Sequence, residues 1–320
     1  MVLPLVSYVV IGRNEEAHLE AALRSVFAQA YAGEREVLYV DSRSTDRSVE
    51  IARSFPGVRV LVLDDSTPSA AKARNLGWRE ARGELVHFVD GDAELVPEWT
   101  RIAVAAFTDP EVAAVFGWFR ERHPERSVYN RWADLDWPME SGPAQAFGGI
   151  VLVRRACLAE TGGFDERLLG AEEPVLTMEL LRRGRKVLQL PHLMAWHDIG
   201  LVRFADYWRR CVLTGWHYAE RADRYRVVFG RSEGWSQNMR TLVQAGFTLL
   251  VLLLGLLWSP WVLAVAALLG AADLVRLARN IRARAGSYGH ALLYALHLRF
   301  LALPMTVGYL SWRFGARTRT

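Results

Sequence analysis

Four short apolar runs, rich in β-branched residues, fall between residues 5 and 90, and the first three each lead into a stretch with helical spacing. This alternation restricts the fold more than any other feature of the chain. Strands separated by helix-length connections form a parallel sheet with right-handed crossovers, covered by helices on both faces. The runs are 5–11 (LVSYVVI), 36–40 (EVLYV), 58–64 (VRVLVLD) and 85–90 (LVHFVD). Leu19, Leu23, Val26 and Phe27 share one face of the first helix, and Glu15 and Glu16 sit in its first turn, where the helix dipole favours acids. Ser44 and Asp46 are candidate N-caps for the second. The expected fold class is α/β, with a mainly parallel, doubly wound sheet. From 115 to 149 the chain is rich in aromatics, Arg and Pro and shows no clean period. A strand, a Gly-Gly turn, an acidic loop, a helix over 174–183 and a strand over 186–190 follow.

In doubly wound sheets ligands bind beyond the carboxyl ends of the strands. Asp41 ends the second run, and the fourth ends in Asp90-Gly91-Asp92. Two carboxylates one residue apart raise each other's pKa unless a positive charge lies between them. A hard divalent cation takes such oxygen ligands and leaves positions open for substrate phosphates. Arg74, on the preceding helix, can reach a diphosphate oxygen, and Asp41 can accept a hydrogen bond from a base or ribose.

Net charge is +4, and Lys72 and Lys186 are the only lysines. The arginines are interspersed with acids as far as residue 240, without the basic stripe of a nucleic-acid reader, so no nucleic-acid partner is expected. Cys157 and Cys211 provide no disulfide framework and read as reduced packing residues. The first residues lack the basic start and small-residue cleavage site of a signal peptide.

Apolar residues concentrate after residue 241. The stretch 242–258 approaches the ~20 apolar residues that span a bilayer, Ser259-Pro260 breaks it, and 261–275 continues apolar. This predicts a helical hairpin in lipid, with Trp258 and Trp261 at the far interface and Arg276, Arg279, Arg282 and Arg284 at the near one. By the positive-inside rule, the body and the arginine-rich exit face the cytoplasm of a bacterial-type inner membrane. Residues 288–312 read as an interfacial amphipathic helix. The expected division is a catalytic domain over 1–235, with halves at about 1–110 and 111–235, and a membrane-associated region over 236–320.

The motifs 9–29 (VVIGRNEEAHLEAALRSVFAQ), 37–48 (VLYVDSRSTDRS), 73–92 (ARNLGWREARGELVHFVDGD), 148–174 (GGIVLVRRACLAETGGFDERLLGAEEP) and 208–216 (WRRCVLTGW) occur in this order. In that order they resemble a family 2 glycosyltransferase of the GT-A fold. The resemblance implies inverting transfer of a sugar from a nucleotide-sugar donor, with Mn²⁺ or Mg²⁺, to a lipid-linked or glycan acceptor. It places Gly12, Asn14, Glu15, Asp41, Arg74 and Asp90 at the donor, with Asp41 near the base. Asp90 and Asp92 fall on the metal, with His197 a candidate third ligand. The family's acidic base lies in a G-E-D-type motif before a helix. Here that segment is Gly170-Ala171-Glu172-Glu173-Pro174, so Glu173, beside Glu172, takes the base position, with Glu where Asp is commoner.

Arg209 and Arg210 resemble the gate that closes over the diphosphate in processive relatives, although its Gln and Arg-Trp pair are absent; equally they suit a cationic face on anionic lipid. Trp132 and Trp137, with Gly148 and Gly149, are candidates for the acceptor side, core packing being the alternative for the aromatics. Two rival readings remain at this level. A nucleotidyltransferase would need a Gly-rich, lysine-bearing loop that GRNEE does not supply, and a non-catalytic membrane scaffold would show gaps in the acid set.

Overall fold

The structure, a computed structural model, describes residues 3–137, 139–225, 233–257 and 259–315. The chain divides into two compact units, Met1–His123 with Trp137–Ile199, and Pro124–Asp136 with Gly200–Thr320.

The first unit is a nine-stranded sheet with flanking helices. Its elements begin β1 (Val6–Gly12), α1 (Leu19–Phe27), β2 (Arg35–Asp41), α2 (Ser48–Ser54), β3 (Val58–Val62), α3 (Ala70–Glu80) and β4 (Leu85–Asp90). β3, β2, β1 and β4 lie side by side in that order and all parallel. Burial on both faces explains the unbroken apolar runs: Tyr8, Val9, Val10, Tyr39, Val40, Phe88 and Val89 are fully enclosed. The register sets Gly12 beside Asp41 and Ile11 beside Asp90, so three strand ends open on one edge.

Strand direction changes where the sequence loses its period. β5 (Ala93–Leu95), α4 (Trp99–Ala105) and β6 (Val112–Glu121) come first. Past α5 (Val128–Asp136), which belongs to the second unit, follow β7 (Gly142–Pro143), β8 (Val151–Arg154), α6 (Arg155–Thr161), α7 (Glu173–Arg182) and β9 (Lys186–His197). β8 runs antiparallel between β4 and β6, while β9 runs parallel to β6 with three register shifts. β5 pairs antiparallel with β9, aligning Ala93 with His197.

The second unit is helical: α5 (Val128–Asp136), α8 (Phe204–Tyr225), α9 (Glu233–Leu257), α10 (Pro260–Ala285), α11 (Tyr288–Phe300) and α12 (Ala302–Arg313). α12 packs on α8 through glycines. A Cβ on Gly215 would collide with the Met305 carbonyl, and one on Gly308 with the Val212 carbonyl. Ser259 caps α10, accepting from the Trp261 N–H.

Among the described residues, two stretches are long and apolar enough to cross a membrane, Trp261–Ala285 and Tyr288–Arg313; Leu242–Leu257, expected as an arm of the hairpin, is a shorter apolar helix there. Trp258 lies outside the described residues. Pro304 does not end the second stretch early, because it occupies the first turn of α12, where a backbone N–H has no intrahelical acceptor to lose.

Candidate active site

Local hydrogen bonding fixes the β1 and β2 ends. Asn14 adopts φ +60°, its N–H donates to Ser44 Oγ at 2.8 Å, and its Oδ1 accepts from the Thr45 N–H at 2.8 Å. Asp41 is buried and already partnered: the Ser44 N–H donates to Oδ2 at 2.8 Å and the Tyr39 hydroxyl to Oδ1 at 3.1 Å. Gly12 and Gly91 leave a slot for Glu15. A Cβ on Gly12 would sit 2.9 Å from Glu15 Cγ, and one on Gly91 3.0 Å from it. Burial pushes the Glu15 carboxyl up to about 7, helped by the negative charges of Asp92, Asp90 and Asp46.

One atom each from Asp90, Asp92 and His197 lies within 4.8 Å of the others. His197 closes β9, and its Nε2 is 3.3 Å from Asp92 Oδ1. Its Nδ1 is buried with no hydrogen-bond partner among the described residues. Burial raises the Asp92 pKa, the His197 imidazole opposes the rise and Asp90 adds to it. With Glu15 alongside, this is an excess of negative charge in a confined space, the condition a divalent cation relieves. Two carboxylates and one imidazole fit Mn²⁺ or Mg²⁺, ions that favour oxygen donors.

Arg74 joins this cluster to the acidic loop. Its Nη2 donates to Asp90 Oδ1 at 2.9 Å and its Nη1 to Glu172 Oε1 at 2.6 Å, with Glu173 Oε1 3.4 Å from Nη1. The residue is 3% exposed, and its guanidinium lies over the Phe164 ring at 5.5 Å. It is turned inward, and its Nε is buried with no hydrogen-bond partner among the described residues. Gly149 makes the approach possible: a Cβ there would sit 2.5 Å from both Arg74 Nη2 and Asp90 Oδ2. Gly148 lies more loosely against Phe119.

The two loop acids differ. Glu172 is 2% exposed and locked to Arg74, whereas Glu173 is half-buried at the start of α7. Burial pushes the Glu173 carboxyl up to about 7; Glu172 adds to the rise and Arg74 opposes it. Ala171, just before them, holds φ +59°, a left-handed conformation that costs a residue with a Cβ.

Asn75, to which the sequence reading gave no role, grips the other end of this loop. Its Nδ2 donates to the Phe164 carbonyl and to Glu166 Oε1, both at 2.8 Å. Its Oδ1 accepts from the Phe164 N–H and Trp78 Nε1, both at 2.9 Å. A buried amide with every bond made positions its neighbours firmly. The available signal was an Asn next to Arg74 on a helix face that otherwise faces the core.

Trp137 lies 5.5 Å from the His197 ring, tilted, and also against Phe119. Trp132, Arg209 and Arg210 belong to the second unit. There the Trp132 ring stacks on His297 at 4.4 Å, so that face is already covered. Arg209 is exposed and 3.4 Å from Asp206, and Arg210 is also exposed.

The sheet and its flanking helices form the GT-A fold, with the acids gathered at one edge. The family model "Glycosyl transferase family 2" matches residues 7–148. An N-acetylglucosaminyltransferase of Bradyrhizobium elkanii is 32% identical over 123 residues, 37% of this chain and 67% of that protein. The chain belongs to glycosyl transferase family 2. Glycosyltransferase AglE of Haloferax volcanii is 33% identical over 120 residues, 36% of this chain and 39% of its own length, so the chain spans well under half of that relative. Among solved structures, mannosyltransferase PcManGT of Pyrobaculum calidifontis, in complex with GDP-Man and Mn²⁺, superposes with a TM-score of 0.62 at 20% identity. That match covers 98% of this chain and 88% of PcManGT.

Proposed function

We propose that the chain transfers a sugar, with inversion, from a nucleotide-sugar donor to a lipid-linked or glycan acceptor, with a divalent cation held by Asp90, Asp92 and His197. The observation that carries this reading is the single guanidinium shared by Asp90 on the donor side and the Glu172-Glu173 pair. In this reading it links the proton acceptor to the acids that would hold the cation, the pairing a one-step displacement requires. Family membership and a metal- and nucleotide-sugar-bound neighbour of the same fold point the same way.

In this reading Glu173 takes the acceptor's proton as its oxygen attacks the anomeric carbon. The carboxyl pushed up to about 7 suits this task, because a base with a pKa near the working pH is both available and strong enough. The bound cation would stabilise the negative charge that develops on the departing diphosphate. Asp41 and Asn14 shape the wall for base and ribose. Arg74 holds Asp90 and the acidic loop in mutual register. A single displacement needs no covalent nucleophile.

The catalytic region would correspond to 1–235, followed by a membrane-associated region over 236–320, with the body facing the cytoplasm of a bacterial-type inner membrane. Support comes from the two apolar stretches and the arginines in the last turns of the first, Arg276, Arg279, Arg282 and Arg284. The test is release of nucleoside diphosphate from a panel of nucleotide sugars with and without Mn²⁺. Release from one donor, abolished by chelation, supports the proposal. Metal-independent release, or none from any donor, contradicts it.

A further inference from the structure

The parallel pairing of β6 with β9 stops at Glu121 and His197, the last residue of each strand, set opposite each other in the register. The chain then leaves the first unit, after His123 on one side and after Ile199 on the other. His197 therefore stands on the final rung of a ladder, where chain ends fray unless another group holds them.

Its ring also lacks the usual support. A histidine that binds a cation through one ring nitrogen generally donates the other N–H to a carboxylate or carbonyl, which fixes the ring. Here Nε2 faces Asp92 Oδ1 at 3.3 Å, while the buried Nδ1 has no hydrogen-bond partner among the described residues. The placement of the ring thus rests on how its backbone is held, with Trp137 tilted against it at 5.5 Å.

Glu121 supplies that hold. It is 1% exposed, its Oε1 accepts from the His123 N–H at 3.0 Å and its Oε2 from the Ile199 N–H at 3.1 Å. One carboxylate thus ties together the two segments that run on from the strands. Both of its oxygens accept, which a carboxylate can do and an amide cannot. Two backbone bonds complete the brace. The Arg122 N–H donates to the His197 carbonyl at 2.8 Å, and the Asp198 N–H to the Asp92 carbonyl at 3.3 Å. The second bond joins the end of β9 to another member of the acid cluster.

We propose that Glu121 is a positioning residue for the cation site: by clamping the His123 and Ile199 amides it keeps His197 where Nε2 can act as third ligand beside Asp90 and Asp92. The inference rests on the cation reading given above, and it gives Glu121 no place among the ligands.

The test measures Mn²⁺ binding to the full chain in non-ionic detergent, by calorimetric titration and by the electron spin echo of bound Mn²⁺, in which a coordinated imidazole nitrogen is visible. In Glu121→Gln an amide nitrogen faces one of the two N–H donors, so half of the clamp opens. Mn²⁺ affinity should fall by about tenfold or more, the usual scale for losing such a support, and the nitrogen signal should shrink. His197→Ala should also weaken Mn²⁺ binding. Adding Glu121→Gln to it should cost less than about twofold more, because both changes act through one ligand. Glu121→Asp keeps the charge but is too short to reach both N–H groups, so it should behave like Glu121→Gln and takes its place if that variant does not fold. Melting in chelator identifies the folded variants. Full affinity with a full nitrogen signal in a folded Glu121 variant would overturn the assignment, as would losses that add in the double variant. If His197→Ala weakens binding and the Glu121 variants do not, the cation site stands without this role for Glu121. If the unaltered protein binds no Mn²⁺, the cation reading falls and the assignment falls with it.

Discussion

Arg74 Nη1 donates to Glu172 Oε1 at 2.6 Å, joining residues 98 positions apart in the chain. Both side chains are almost fully enclosed. Removing one member of such a pair leaves an uncompensated buried charge, a loss of about 3–5 kcal/mol. Arg74→Ala should therefore destabilise the protein by that order in chemical denaturation. Arg74→Lys should recover part of the stability yet little of kcat, because an ammonium cannot serve Asp90 and Glu172 with a planar fork.

Glu172 and Glu173 should separate by function. Glu172→Gln keeps shape but weakens a charge-assisted bond, so it should lower stability and kcat together. Denaturation and turnover of the same preparation measure both.

The raised Glu173 carboxyl fixes the sign of two pH dependences. Its folded pKa, about 7, lies above the ordinary 4.5, so between those values the folded state holds a proton that the unfolded state has lost. Its contribution to stability is thus present at low pH and is lost as pH rises through about 7. Transfer needs the deprotonated form, so kcat should rise over the same window. A pH–rate profile and a pH series of denaturation curves should run in opposite directions there.

Glu15 is held in its slot against Asp90 and Asp92. Glu15→Gln removes like-charge repulsion, so the cation-free protein should gain stability while Mn²⁺ affinity falls. Calorimetric titration with Mn²⁺ and a melting curve in chelator measure the two effects. A gain in both would mean that Glu15 does not share the cation's field.

The local pattern of the sequence revealed the half of the fold that obeys a local rule. β1 to β4 alternate with helices, and each strand's apolar run reports burial on both faces. The placement of Asp41, Asp90 and Asp92 at strand ends followed from the same pattern. β6, β8 and β9 were less legible, since their pairing is distant in sequence, mixed in direction and interrupted by register shifts. The inward turn of Arg74 depends on Gly149, where a Cβ would sit 2.5 Å from its Nη2, and the trapping of Glu15 on Gly12 at the end of β1 and Gly91 in the turn after β4. Such facts belong to tertiary approach, and no periodicity carries them. Asn75 was missed for the same reason: its four bonds reach Trp78 on its own helix and a segment about 90 positions away.

The most direct measurement compares Glu173→Gln with the unaltered protein in metal-dependent sugar transfer, with donor binding measured on the same samples. The account predicts that donor affinity stays within about twofold while kcat falls by about 10²–10⁴, the usual contribution of a positioned base. Transfer at the unaltered rate would show that another group takes the proton and would remove Glu173 from the reaction.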